Sequence, residues 1–113
     1  MRGKDQTKTI VTYKIESGKA PFTAWLLGLR DGKTRQRILD RLTRVESGHY
    51  GDHKSVGDGI TELRFFFGAG YRVYFGEDGD TIVILLTGGD KKSQNKDVRQ
   101  AKAYWKEYLN HAY

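Results

Sequence analysis

Between Gly59 and Gln94 the chain reads GITELRFFFGAGYRVYFGEDGDTIVILLTGGDKKSQ, three strand-like runs with almost no chain between them. Thr61–Phe67 sets Leu63, Phe65 and Phe67 on one face and Glu62, Arg64 and Phe66 on the other. Tyr71–Phe75 groups Arg72 with Tyr74, opposite Tyr71, Val73 and Phe75. A period of two belongs to strands. The links Gly68-Ala69-Gly70 and Gly76–Asp80, the second carrying Asp78-Gly79, are too short for a crossover. The runs therefore fold back on one another as an antiparallel meander. Thr81–Thr87 is apolar almost throughout, which predicts the most buried strand, in a central position.

The rest of the chain must cover that meander. Thr9–Ile15 alternates Val11, Tyr13 and Ile15 against Thr12 and Lys14, a strand that has to join the sheet if its backbone groups are to be paired; a place beside the last strand is expected. Pro21 suits the first turn of a short helix over Phe22–Leu29, which Asp31-Gly32 breaks. Lys33–Glu46 carries Ile38, Leu39, Leu42 and Val45 as a helical stripe, and Gly48 ends it. His49–Gly59 reads as a loop, and Ser93–Leu109 as a helix lined by Val98, Ala101, Tyr104, Trp105 and Tyr108. The order β-α-α-β-β-β-α predicts an α+β domain: a helical hairpin and a C-terminal helix on a mainly antiparallel four-stranded sheet.

At 113 residues one domain, 1–113, is expected. A net charge of +6 favours a polyanion or an acidic partner. Without cysteine there is neither a disulfide nor a thiolate metal site, which fits a reducing cytoplasm. The leading MRGKDQTKT lacks the apolar centre of a secretory leader, and Ile82–Leu86 is too short to cross a bilayer.

Cations gather on or beside the meander, with almost no acids expected to face them. Arg64 and Arg72 lie on neighbouring strands across the Gly68–Gly70 turn, on one face of the sheet. Two adjacent guanidiniums need an anion between them. A carboxylate such as Glu62 would make them a surface network, whereas a phosphate would make them a clamp. Arg72 is expected to project from the sheet, so that its truncation spares the fold. In Gly88-Gly89-Asp90-Lys91-Lys92-Ser93-Gln94 the glycines allow a sharp turn after the buried strand, and two lysines stand beside the start of a helix, whose free N–H groups favour anions. The spacing is not that of a P-loop, and Gly68-x-Gly70 leads into a strand, not a helix, so neither is a nucleotide fingerprint. The candidate catalytic residues are thus Arg64, Arg72, Lys91 and Lys92. Lys54, Tyr74 and Gln94 are candidate RNA contacts, Tyr74 by stacking. His49 and His53 read as two exposed histidines rather than a metal pair; no metal and no cofactor are expected.

ELRFFFGAGYRVYF followed by GDTIVILLTGGDKKSQNKDVRQAKAYW closely resembles the addiction-module killer proteins, a HigB-like branch of the RelE/ParE toxin superfamily, and the resemblance extends over nearly the whole chain. It implies a microbial-ribonuclease-like fold, a cognate antitoxin of helix-turn-helix type, and cleavage of messenger RNA on the ribosome. Arg72 and Lys92 fall where relatives keep catalytic cations; Arg64 and Gln94 belong to the branch's own motif. Val98 stands where several relatives carry a functional tyrosine, so no acid–base assignment carries over. ParE-type members inhibit DNA gyrase instead, and the fold alone does not separate the two. The basic second helix, with Arg35, Arg37, Arg41 and Arg44, and the cationic cleft near Arg64, Arg72 and Lys92 are the two expected targets for an acidic antitoxin, with contact at the helical hairpin favoured.

Overall fold

The structure, a computed structural model, describes residues 7–112. The reading of the leading segment falls mostly on residues 1–6, which lie outside the described residues. The elements are β1 (Thr9–Thr12), α1 (Pro21–Gly28), α2 (Gly32–Glu46), β2 (His53–Gly57), β3 (Ile60–Arg64), β4 (Arg72–Asp78), β5 (Ile82–Gly89) and α3 (Gln94–Ala112). The fold is α+β, but the sheet has five strands and is mixed, in the order β1-β5-β4-β3-β2. The meander β3-β4-β5 is antiparallel, and β1 lies beside β5 as expected, running parallel to it.

The four-strand expectation fails at β2. His53–Gly57 is an edge strand paired with β3, not part of a loop. It shows no alternation because an edge strand exposed on both faces buries nothing, apart from the half-buried Val56. Its signal lies in the turn: Asp58 and Gly59 both take positive φ, 55° and 84°, as a two-residue hairpin link between right-twisted strands requires.

The sheet is covered on both sides. Against one face, α1 and α2 bury Phe22, Leu26, Ile38, Leu42 and Val45 over Leu63, Val73, Phe75, Val83 and Leu85. Against the other, α3 lays Ala101 and Trp105 over Ile60, Tyr74, Ile84 and Leu86. β5 thus sends Val83 and Leu85 one way and Ile84 and Leu86 the other, which is why its sequence is apolar without interruption. It is the most buried strand, although β4 occupies the middle of the sheet. On α2 the stripe narrows to Ile38, Leu42 and Val45, and Leu39 stays exposed. Asp31 caps α2 by accepting from the backbone N–H of Lys33 at 3.0 Å.

Two tryptophans reach the sheet only where side chains are missing. A Cβ on Gly76 would sit 2.5 Å from the Trp105 ring, and one on Gly88 would sit 2.3 Å from the Trp25 ring. Tyr104, Trp105 and Tyr108 accordingly pack in the core beneath α3, with Trp105 and Tyr108 stacked at 5.3 Å. Gly76→Ala is expected to push Trp105 off the sheet and lower unfolding free energy by about 1–3 kcal/mol, the ordinary cost of overpacking. Chemical denaturation followed by tryptophan fluorescence measures it; unchanged stability and emission would show that α3 slides without penalty.

Candidate functional site

The register of the meander brings the predicted cations together. Arg64, the last residue of β3, is directly opposite Arg72, the first of β4, and Arg72 is opposite Gly89 near the end of β5. The Gly68–Gly70 turn, with φ of 57° and 72° at its glycines, folds over this end. Ala69 accepts from the backbone N–H of Lys91 at 3.3 Å, and a Cβ on Gly70 would lie 3.4 Å from that of Lys91 and 3.8 Å from the Arg72 guanidinium. Lys91 and Lys92 are both exposed, and Gln94 opens α3. Arg64, Arg72, Lys91, Lys92 and Gln94 therefore share one end of the sheet. Lys54 is further along, exposed on β2 and in register with Glu62.

Acids face these cations more than the sequence suggests. Glu62, on β3 beneath α3, is 0% exposed. Its Oε2 lies 3.7 Å from Arg72 Nε and accepts from Gln94 Nε2 at 3.0 Å. The 3.7 Å contact is an ion pair without hydrogen-bond alignment: Arg72 Nε, Glu62 Oε1 and the Tyr74 hydroxyl make no hydrogen bond. Arg72 donates instead to the Gly70 carbonyl at 3.0 Å. Arg64 Nε donates to Asp52 Oδ2 at 3.0 Å. Each arginine thus has its own carboxylate, so their juxtaposition needs no external anion. Arg72 is a strut under the turn as well as a cation, and its side chain is only 13% exposed. The expectation that its truncation would spare the fold is corrected accordingly: removing it strands a buried carboxylate.

Tyr74 is corrected too. It is fully buried beneath α3, so no base can stack on it. Burial first, then the neighbouring Glu62 carboxylate, raise its hydroxyl pKa far above the ordinary value.

The glycines of the GGDKK segment also have a different task. Gly88 and Gly89 are strand residues, and neither takes positive φ. A Cβ on Gly89 would fall on the Asp97 carboxylate and within 2.9 Å of the Ser93 hydroxyl. They permit close approach, not a sharp turn. The turn comes from Asp90, whose Oδ1 accepts from the backbone N–H of Lys92 at 3.0 Å and of Ser93 at 3.1 Å. Asp97 in turn accepts from the Ser93 hydroxyl. With Asp90 and Asp97 occupied in this way, Lys91 and Lys92 are presented on a built loop.

On the helical hairpin the arginines divide. Arg41 is half-buried and donates to the carbonyls of Tyr50, Asp52 and Arg64 at 2.7–2.9 Å, tying α2 to the ends of β2 and β3. Burial lowers its pKa, with Asp52 opposing the shift. Arg35 donates to the Leu29 carbonyl at the hairpin turn. Only Arg37 and Arg44 of the four remain exposed, so the docking face read from the sequence loses half its charge to internal work. His49 and His53 are both exposed, the latter beside Tyr50 and within 2.8 Å of the Gly51 carbonyl. Among the described residues no group of three or more His, Cys, Asp or Glu converges as metal ligands.

The profile of the family described as "Phage derived protein Gp49-like" matches residues 24–107. The chain belongs to that family. Gp49-like proteins are RelE/HigB-like toxins of toxin–antitoxin systems, so an antitoxin is implied as partner. An uncharacterized protein of Haemophilus influenzae is 48% identical over 81 residues, covering 72% of this chain and 82% of its own. The Gp49-like match takes in α2, the meander and most of α3, hence every cation gathered at the sheet end; β1 precedes it.

The Glu62–Arg72 pair gives a testable asymmetry. Glu62→Leu alone, which leaves a guanidinium unpaired, is expected to cost about 3 kcal/mol, whereas Glu62→Leu with Arg72→Met should cost far less because both charges go. Thermal or urea unfolding of the two variants reads this directly. A double variant that loses the sum of the two single losses, with Arg72→Met measured alone, would mean that the pair is not coupled.

Proposed function

We propose that this Gp49-like protein is a toxin of the HigB-like, addiction-module branch, a ribonuclease that cuts messenger RNA on the ribosome. It would act as one domain, 1–113, in the cytoplasm, restrained by a helix-turn-helix antitoxin. The supporting observation is the convergence of Arg64, Arg72, Lys91, Lys92 and Gln94 on one sheet end beside the start of α3. Among the described residues no helix is long and apolar enough to cross a membrane.

In the proposed reaction the ribose 2′-oxygen forms a bond to the adjacent phosphorus, the P–O5′ bond breaks, and a 2′,3′-cyclic phosphate results. The substrate supplies the nucleophile, so the chemistry needs no metal. Negative charge grows on the non-bridging oxygens, where guanidiniums held by carboxylates are worth most because they need not reorganise. In this scheme Arg64 and Arg72 have that role. Lys91 or Lys92 gives its proton to the departing 5′-oxygen, while the 2′-hydroxyl proton passes to solvent or to ribosomal RNA. His53 opens β2 at this end, opposite Leu63, but its ring lies beside Tyr50 and the Gly51 carbonyl and has no role in this scheme, so the free protein is expected to be slow and the ribosome to supply alignment.

A second reading, a non-enzymatic inhibitor that binds DNA gyrase or another protein, is favoured by one observation. Both strand arginines already have carboxylate partners, as in a docking surface. Exposed lysines separate the two readings without disturbing the core. Lys91→Ala with Lys92→Ala is expected to fold normally, to abolish growth arrest and to stop transcript cleavage in cells. Wild-type arrest with intact transcripts, DNA damage and stalled replication would instead establish the inhibitor.

A further inference from the structure

Phe66 is 82% exposed, at the point where β3 gives way to the turn. A lone exposed ring is ordinary on a protein surface; what marks this one is the company it keeps. It borders a cleft of about 390 Å³ between α2 and the end of β3, which also presents Arg37, Arg44 and Arg64. Arg41, at the floor, is spent on three backbone carbonyls, and Asp52 is paired with Arg64. Asp40 accepts from Gln36 at 2.9 Å. Gln36 is neutral, so Asp40 keeps its charge, and the open charge of the cleft is that of Arg37 and Arg44 less that of Asp40, a net positive balance. Arg37 lies flat enough on the Phe67 ring to bring its guanidinium carbon within 3.7 Å of the centroid. A guanidinium with one face on an aromatic ring offers the other to a flat ligand. Arg64 belongs both to this cleft and to the cationic sheet end, so the two sites are continuous.

We propose that the cleft is a nucleotide subsite of a single-stranded RNA: one base stacks on Phe66 and the flanking phosphates lie on Arg37 and Arg44, leading the strand past Arg64 to the sheet end. A protein partner would ask for buried apolar area, whereas the cleft offers one solvated ring amid guanidiniums, which suits a base with phosphates on either side. The proposal rests on the ribonuclease reading. It adds that binding near the cut depends on a ring, not on charge alone.

The two contributions differ in salt dependence. Binding of a labelled, uncleavable 2′-O-methyl single strand is measured by fluorescence anisotropy from low to high salt. Phe66→Ala is expected to weaken binding about tenfold with an unchanged salt slope, and Phe66→Trp to restore it. Arg37→Gln with Arg44→Gln should flatten the log–log slope by about 1.4, roughly 0.7 per phosphate on a single strand. Because all three side chains are exposed, the fold is expected to survive each change. If Phe66→Ala binds as the wild type does while the Lys91/Lys92 variant does not, the subsite is wrong and the ribonuclease reading stands. If the wild type binds no RNA strand at any salt, that reading falls and the subsite with it. If Phe66→Ala keeps RNA affinity but no longer co-purifies with the antitoxin, the cleft is a protein-docking surface and the proposal is overturned.

Discussion

Burial of β5 on both faces organises the rest of the molecule. α1 packs on one side of it and α3 on the other, and β1 and β4 flank it. A strand in that position must be apolar on every residue where helices cover it and bare where they come closest. Val83–Leu86 meets the first demand, and Gly88 with Gly89 meets the second. The register shifts opposite Tyr74 and Phe75: Phe75 pairs with Leu85, whereas Tyr74 pairs with Thr87. That bulge inverts the facing of everything beyond it. It turns Gly88 toward Trp25 and Gly89 toward Asp97. The loop that carries Lys91 and Lys92 leaves the sheet from there, so the position of the exposed lysines depends on a one-residue irregularity inside the core.

The same economy governs the charges. A basic chain suggests a surface of free cations, but several arginines are structural. Arg41 donates to three loop and strand-end carbonyls at once, a worthwhile use of a group with five N–H donors. Arg72 holds the turn carbonyl at Gly70 and faces the buried Glu62. At the sheet end and the α2 cleft, what remains for a ligand is a smaller set: Lys91, Lys92, part of Arg64, and the exposed Arg37 and Arg44. In the proposed reading those residues mark the path of the strand from the cleft at α2 to the start of α3. Glu62 matters to that path through its neighbours, since it also accepts from Gln94 and so links β3 to the first turn of α3. Fixed arginines are the better suited to a charge that appears only in a transition state, because they are already aimed.

The sequence by itself determined the meander, the helical hairpin and the three-helix count, because short turns and apolar periodicity leave the chain few ways to bury itself. It also determined that Arg64 and Arg72 would share a face, because strand parity is the same for the three-residue turn it suggested and for the five-residue loop, 66–70, that the register shows. It did not reveal β2, an edge strand with almost no apolar residue, although Asp58-Gly59 carried the turn signal. Only the tertiary structure decided which cations are free. Whether Tyr74 faces water or Trp105, whether Glu62 meets Arg72, and whether Gly88 turns or merely makes room all depend on what packs above the sheet. Periodicity assigns a side chain to a face; it does not say which helix covers that face, or how closely.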